Sequence, residues 1–432
     1  MNSMATTAPA HAVAGKSGAR RTIAAMTIGN ALEFFDFTVF SFFAITIGKL
    51  FFPSMSPYGQ LMLAVATFGV GYVMRPVGGV IIGAYADRKG RKAAMTLTIN
   101  LMALGCLLIG LAPTYAQAGL FGPCLIVFAR LLQGFSAGGE VGASTTMLIE
   151  LSTPRTRGYF ASWQFASQGL GVTAGAVTAM ILSGVLSVES LESWGWRVPF
   201  LLGVVIAPIG AYIRRHQAET LKLDQRVPER STVSIVFRDH FKSVVLGTLL
   251  TLGSTVTAYT ITFYMPTFAI RELGLSTSNA LLAGTLSGLM TFLVSPLAGK
   301  LTDQVGRKPL ILFGRIGVLL LVYPCFLWMI GSPGQASLMV SVIALSILLA
   351  IMTSSVITVI PEMFPQAVRA TGMSIVYSVG VAIFGGFQQL VATWLISFTG
   401  NKLAPAFYLM ACLLVSTFSL IWIKDRTGQV LH

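Results

Sequence analysis

The sequence predicts an all-α integral membrane protein: twelve transmembrane helices in two pseudo-symmetric six-helix bundles. Three observations predict it. Of 432 residues, 54% belong to the hydrophobic set and only 10% are charged, against about 25% charged in soluble domains. Apolar runs long enough to cross ~30 Å of hydrocarbon recur at 22–48, 58–86, 93–113, 120–150, 158–186, 196–214, 242–269, 276–302, 309–330, 335–360, 371–398 and 403–424. The stretch Gly83-Ala84-Tyr85-Ala86-Asp87-Arg88-Lys89-Gly90-Arg91-Lys92 returns 216 positions later as Gly299-Lys300-Leu301-Thr302-Asp303-Gln304-Val305-Gly306-Arg307-Lys308. Self-similarity at a fixed long period marks repeated structural units.

Taken in order, residues 1–21 are small, polar and basic and read as a cytosolic tail. The apolar stretch after them is too long and too acidic for a signal-peptide core. Residues 22–214 form the first bundle and 242–424 the second, joined by the polar interval 215–241, with a short cytosolic tail at 425–432. A second echo supports the duplication: Glu150 and Arg157, followed by Gly158, recur 212 positions later as Glu362 and Arg369, with Gly372 shortly after.

The net charge of +14 would suit a nucleic-acid binder, but in a membrane chain an excess of Lys and Arg marks cytoplasmic loops. With both termini in the cytosol, only Lys49, Arg197, Arg271 and Lys402 fall outside. That bias sets the topology. Cys106, Cys124, Cys325 and Cys412 all lie in apolar runs, where a thiol behaves as a small hydrophobe, and no disulfide framework is expected.

Charges inside the spans need a reason, because each costs a few kcal/mol, roughly 2.5–3.5 on insertion scales. Asn30, Glu33 and Asp36 follow one another at three-residue steps on one face of the first helix. Two carboxyls so close repel when both are ionised, so one is expected to hold a proton near neutral pH, the property proton coupling requires. The alternative is neutralisation by Arg75 or Arg130. In the fourth run Arg130, Gln133 and Glu140 form a polar edge. An arginine there can pair with a membrane acid or receive a substrate carboxylate in a bidentate fork. Arg75 precedes Pro76, twelve residues before Asp87 and hence about 18 Å from the cytosolic end. Pairing with Glu33 or Asp36 and contact with substrate are both open to it.

Arg315, early in its span, is expected to snorkel to the cytosolic surface. Gln164 and Gln168 place two amides one turn apart in the fifth run. The second half carries hydroxyls and amides instead of mid-membrane charge, among them Tyr259, Tyr264, Thr353, Tyr377, Gln388 and Gln389.

Asp87 and Asp303 each end a helix, where an anion meets the negative end of its own dipole. Each is better placed facing another helix's N-terminus, and such contacts would latch the cytoplasmic side. Gly83 and Arg88 belong to the same loop, and Arg91 and Arg307 are placed to pair with Glu150, Glu362 or anionic lipid headgroups.

Nothing points to an enzyme, a cofactor or a metal. The four histidines (His11, His216, His240, His432) fall in loops or tails. The one Gly-Lys-Ser, at 15–17, lacks the preceding glycine of a phosphate loop, which argues against an ATP-driven pump. The interior charges are scattered singly and not in the rings of a channel filter.

The loop Gly83 to Lys92, the run Arg130-Leu131-Leu132-Gln133-Gly134 and the duplication together resemble the major facilitator superfamily across all twelve spans. Gly29 to Phe37, Met74-Arg75-Pro76, Leu131 to Glu140, Trp194 to Phe200 and Ala382-Ile383-Phe384-Gly385-Gly386 resemble its metabolite:proton symporter branch, nearest to the citrate and tricarballylate carriers. The second loop departs from the first in having Gln304 where the first has Arg88.

The resemblance implies a bacterial-type inner-membrane carrier, working as a monomer, that imports a small di- or tricarboxylate with protons by alternating access. Glu33, Asp36 and Glu140 are then candidates for proton coupling. Asn30, Arg75, Arg130, Gln133, Gln164, Gln168, Tyr264 and Gln388 are candidates for substrate. Gly83, Asp87, Arg88, Arg91, Glu150, Asp303, Arg307 and Glu362 are candidates for the cytoplasmic gate. A carrier of zwitterionic proline or betaine, or of an aromatic or keto acid, is the alternative, and a carrier-derived nutrient sensor is the non-transport one.

Overall fold

The computed structural model describes residues 16–215 and 232–430, almost all of them helical. In chain order the spans are Lys16–Phe42 continuing as Ala44–Phe51, Pro57–Val73 continuing as Arg75–Lys89, Arg91–Gly110, Phe121–Glu150, Arg157–Val185 and Val198–Arg215. Then come Phe241–Ala258 running through Tyr259–Tyr264 into Met265–Arg271, Thr277–Val305, Arg307–Gly331, Gln335–Glu362, Arg369–Phe384 with Gln388–Thr399, and Ala404–Phe418. They are called the first to twelfth spans below. Ten of these units are long and apolar enough to cross a membrane by themselves, and the first span is an eleventh, bent by 64° near Phe43. The sixth completes the set. This is a multi-pass membrane protein.

Besides the bent first span, three spans depart from the uninterrupted helices expected from sequence. The second is offset at Met74, because Pro76 supplies no N–H and restricts the residue before it. In the seventh, Tyr259–Tyr264 is a π turn just ahead of Pro266. Such turns often sit at functional sites. The eleventh breaks at Gly385-Gly386-Phe387 because Gly386 lies against Tyr72, where a Cβ would come within 2.5 Å of the tyrosine Cβ.

Of the expected tail and linker, residues 1–15 and 216–231 lie outside the described residues, as do His11, His216 and His432. The helix begins at Lys16, earlier than the boundary at 22. Within 215–241 a short helix, Thr232–Asp239, buries Thr232 and Val236, and the hydroxyls of Thr232 and Thr371 lie 3.3 Å apart. Arg315 does not snorkel. It is fully buried and donates to the carbonyls of Leu250 (2.8 Å) and Ser416 (2.7 Å), joining the seventh, ninth and twelfth spans. Carbonyl lone pairs on neighbouring helices take up both of its terminal nitrogens where the helix start is ~12 Å away along its own helix.

The two sets of six spans meet along the fifth and eighth spans, their most extensive contact, and along the second and fourth against the eleventh. Small residues allow this. A Cβ at Gly288 would lie 2.6 Å from the Thr173 hydroxyl and 2.8 Å from the Gly169 carbonyl, so the two backbones touch. Without a hydrophobic drive between helices in lipid, such close approach is what holds spans together.

Candidate functional site

Two buried ion pairs stand side by side in the first half. Arg75 Nη2 donates to Glu33 (3.2 Å) and Arg130 Nη1 to Asp36 (3.1 Å), and all four side chains are at most 3% exposed. Their placement follows from backbone contact between the second and fourth spans. Gly134 presses on Gly71 and Gly138 on the carbonyl of Arg75, so closely that a Cβ at either glycine would overlap the neighbouring backbone. The Phe37 ring lies between the guanidinium groups, 4.8 Å from Arg75 and 4.5 Å from Arg130, while Tyr72 faces Arg75 and Phe40 and Phe68 face Arg130. Arg130 also donates to Gln133 (2.8 Å), and the Cys106 thiol donates to Asp36 (3.3 Å).

Arginine N–H groups remain spare. Nε and Nη1 of Arg75, and Nε and Nη2 of Arg130, are buried without a hydrogen-bond acceptor and rest against aromatic faces. Buried donors of this kind point to a group that completes the site.

Beside this cluster, a narrow cavity lies between the halves, lined from both of them. Phe34, Phe165, Gln168 and Val172 line it from the first and fifth spans, and Thr251, Ser254, Thr255, Tyr259, Thr262, Phe263, Thr291, Thr353 and Tyr377 from the second half. Its side chains are aromatic, aliphatic, hydroxyl or amide, and none is charged. The Ser254 hydroxyl has no hydrogen-bond partner among the described residues. Tyr259 donates to the Tyr72 hydroxyl (2.8 Å) and Gln168 to that of Tyr377 (3.4 Å), both across the two halves. Arg75 lies 4.2 Å from the Tyr72 ring, and Tyr72 is bonded to the cavity-lining Tyr259, so the cationic cluster borders the cavity through these tyrosines.

At one end of the spans the halves are latched twice. Asp303 accepts from the backbone N–H of Gly158 (2.8 Å) and Tyr159 (2.9 Å), at the N-terminus of the fifth span. Asp87 accepts from the N–H (2.9 Å) and hydroxyl (2.5 Å) of Thr371, at the N-terminus of the eleventh. Each aspartate is braced by the arginine one turn on, Arg91 (2.5 Å) or Arg307 (3.2 Å). Those arginines reach Glu150 (3.3 Å) and Glu362 (3.2 Å), and Arg157 crosses to Glu362 (3.3 Å). The turn glycines Gly90 and Gly306 adopt φ of 110° and 109°, a region side chains avoid, so both loops fold alike. Gly83 packs on Ser374 and Thr371.

The comparisons with known proteins bear on this arrangement. The family model of the Major Facilitator Superfamily matches residues 26–387 and 271–430. This chain belongs to the Major Facilitator Superfamily. It is 36% identical over 431 residues to the citrate-proton symporter of Salmonella typhi, covering 99% of both chains, and 34% identical to that of Klebsiella pneumoniae, covering 99% of this chain and 97% of the other. The proline/betaine transporter of Salmonella typhimurium is 30% identical over 95% of this chain and 85% of its own. Among solved structures, the proton:xylose symporter XylE bound to 6-bromo-6-deoxy-D-glucose superposes with a TM-score of 0.80, covering 96% and 98% of the two chains at 18% identity, which speaks for the fold alone. These relatives are transporters and not enzymes.

Within this facilitator the residues singled out from sequence do not all share one place. Glu33, Asp36, Arg75, Arg130 and Gln133 come together in the paired cluster, and Gln168 lines the cavity. Asn30 and Gln164 instead clasp the first and fifth spans: Asn30 donates to the Gln164 carbonyl (2.9 Å) and the Ser167 hydroxyl (2.6 Å), and Gln164 returns a bond to Asn30 (3.0 Å). Glu140 accepts from Thr98 and lines with Glu33 and Ser136 a separate small crevice. Tyr264 and Gln388 do not line the cavity; Gln388 donates to Thr260 (2.7 Å), and Tyr264 packs on Phe268. Arg88 is exposed, as is Gln304 at the matching position, so that difference between the loops removes no latch contact. Phe34, Phe165, Thr251, Ser254, Thr255 and Phe263 line the cavity although nothing local in sequence marks them. The hydroxyl run of the seventh span was the available signal.

Proposed function

We propose that this facilitator imports a small di- or tricarboxylate, citrate or a close analogue, together with protons, by alternating access between its two six-helix bundles. The observation that carries it is the pair of arginine–carboxylate bridges facing one another across Phe37 at the edge of an enclosed central cavity. Asp36 and Glu33 each hold an arginine while ionised. A proton on either acid frees its guanidinium, whose fork then suits a substrate carboxylate. In the reverse step the acid reclaims its arginine, expelling anion and proton on the same side.

Both termini and the latched loops face the cytosol in this reading, supported by the lysine and arginine bias. The halves, 22–214 and 242–424, move as the two rocking bodies. The cavity and the charge cluster are complete within one chain, so a monomer suffices. The latch, closed here, holds the cytosolic side shut.

The second reading, transport of a quaternary amine such as betaine, draws on the cavity wall itself. Phe34, Phe165, Tyr259, Phe263 and Tyr377 give it an aromatic lining without an acid, and aromatic faces attract quaternary ammonium groups. Purified protein in liposomes separates the two. Citrate-driven alkalinisation outside, with acidification of the lumen, supports the first. Betaine uptake without response to citrate overturns it.

A further inference from the structure

Among the described residues the latched end takes most of the lysine and arginine, whereas the opposite end carries four such residues in loops, Lys49, Arg197, Arg271 and Lys402. Two of these four line one crevice. Lys49 lies in the last turn of the bent arm of the first span and Arg271 ends the seventh; with Ile45, Tyr58, Gln60 and Leu61 they line a surface crevice of about 250 Å³. The crevice therefore joins the two halves. Its floor is built close: Gly48 lies on the backbone of Gln60, where a Cβ would meet the carbonyl oxygen at 2.6 Å.

The position relates it to the cavity. The first and seventh spans, which present these cations, also place Phe34, Tyr259 and Phe263 on the cavity wall. From Arg271 back to Phe263 is eight residues, roughly 12 Å of helix. Between the two levels the halves are sealed by Phe68 against Phe263 (6.1 Å), by the Tyr259–Tyr72 bond, and by Gln389, which donates to Ser41 (2.8 Å). The crevice is thus the solvent-facing side of that seal.

The two cations are in different states. Lys49 is held by both oxygens of Glu192 (2.6 and 2.7 Å). Arg271 is exposed, makes no ion pair among the described residues and stacks its guanidinium 5.1 Å from the Tyr58 ring. That leaves its N–H fork open to an incoming anion, with Lys49 able to join on letting go of Glu192.

From this arrangement we infer that the crevice of Lys49, Tyr58, Gln60 and Arg271 is an outer capture site for the transported carboxylate, loaded before the seal opens. The inference rests on the carboxylate reading above. A cationic mouth raises local anion concentration and capture rate, and salt screens it. Its signature is a change in KM and salt dependence with the turnover step intact.

The test measures citrate uptake by purified protein in phosphatidylcholine liposomes. Arg271→Gln is expected to raise KM three- to tenfold with unchanged maximal rate. Glu192→Gln, which releases Lys49, is expected to lower KM about threefold. Both differences should vanish at roughly 0.5 M salt, where the screening length falls to a few ångströms. Unaltered KM in both variants overturns the inference. So does an effect of Arg271→Gln seen only in liposomes containing anionic phosphatidylglycerol, since that assigns the crevice to a lipid headgroup. If the unsubstituted protein takes up no carboxylate at all, the carboxylate reading itself has failed. Normal uptake with an indifferent Arg271→Gln and Glu192→Gln fails the capture site alone.

Discussion

Replacing Asp303 by Asn should unlatch this end of the spans, cytosolic on the proposed reading, and the size of the effect can be worked from its contacts. The carboxylate accepts from two backbone N–H groups at 2.8 and 2.9 Å and from Arg307 at 3.2 Å. An amide keeps one acceptor oxygen, so one charge-assisted bond worth about 1.5–3 kcal/mol is lost and the other falls to roughly half strength. The favourable meeting of an anion with the N-terminus of the fifth span, about 0.3–1 kcal/mol at exposed sites, goes as well. Relief of partial burial offsets some of this. A net of ~2–4 kcal/mol shifts the open-to-closed ratio by a factor of ~30 to several hundred.

The assay uses a variant with Cys106, Cys124, Cys325 and Cys412 replaced and Thr353→Cys as reporter, since Thr353 lines the cavity and is 1% exposed. Labelling by an impermeant maleimide in inside-out vesicles should accelerate by that factor. Asp87→Asn, which loses Thr371, should do the same independently, the two sites being separate. Labelling rates within twofold of the parent in both variants, with melting temperatures preserved, would refute the latch argument.

Four further outcomes are expected. Asp36→Asn and Glu33→Gln should each lose uphill accumulation while retaining citrate exchange. Both should lower the melting temperature, because an arginine is left buried without its anion, a loss of about 3–5 kcal/mol, and citrate should restore it more than in the parent. Gly288→Val should abolish transport, since even its Cβ falls 2.6 Å from the Thr173 hydroxyl and 2.7 Å from its backbone nitrogen; uptake at parental rates would show that the fifth and eighth spans need not touch. Uptake of a dicarboxylate with two protons should be indifferent to an imposed membrane potential, read as initial rates with and without a potassium diffusion potential. The last concerns Asp425. Partial burial pushes its carboxyl up, but bonds from Thr427 and from the Lys308 and Arg307 N–H groups outweigh that and leave its pKa below the ordinary 3.8. A depressed carboxylate contributes stability above its unfolded pKa and loses it as pH falls through the folded value, so the tail's hold on the ninth span should be complete at pH 7 and fail only below about pH 4. Hydrogen exchange of residues 425–430 should be slow at neutral pH and fast in Asp425→Asn.

The spans, the duplication and the partners of Asp87 and Asp303 were legible in sequence because each depends on local chemistry. Apolar length fixes a span, and an anion at a helix C-terminus must look elsewhere for a positive field. The pairing of Glu33 and Asp36 with Arg75 and Arg130 was legible only as a set, since nothing in spacing says which acid meets which arginine. That choice is made by Gly71, Gly134 and Gly138, which set how closely the second and fourth spans approach. Tyr264 and Gln388 looked like ligands because they are polar and mid-membrane, yet polar side chains in lipid also bind helix to helix, as Gln388 does with Thr260. The cavity's Phe34, Phe165 and Phe263 were illegible for the opposite reason. An aromatic side chain in an apolar run carries no mark of facing a void.

The distribution of charge explains why proton and anion should move together. With Glu33 and Asp36 ionised, the cluster of four groups is neutral, and every member is shielded from water. Protonating one acid leaves a net positive charge at a site walled by Phe37, Phe40, Phe68 and Tyr72, where an uncompensated ion is costly. Binding an anion without protonation leaves the reverse excess. Only the doubly empty and the jointly loaded states are neutral, one proton for each carboxylate that takes an arginine. Closing the cavity over either mixed state would bury a net charge, so the helices can rock cheaply only when both passengers are aboard or both are absent. On the proposed reading, coupling would need no dedicated relay between substrate and proton, because the burial of two guanidinium groups would enforce it.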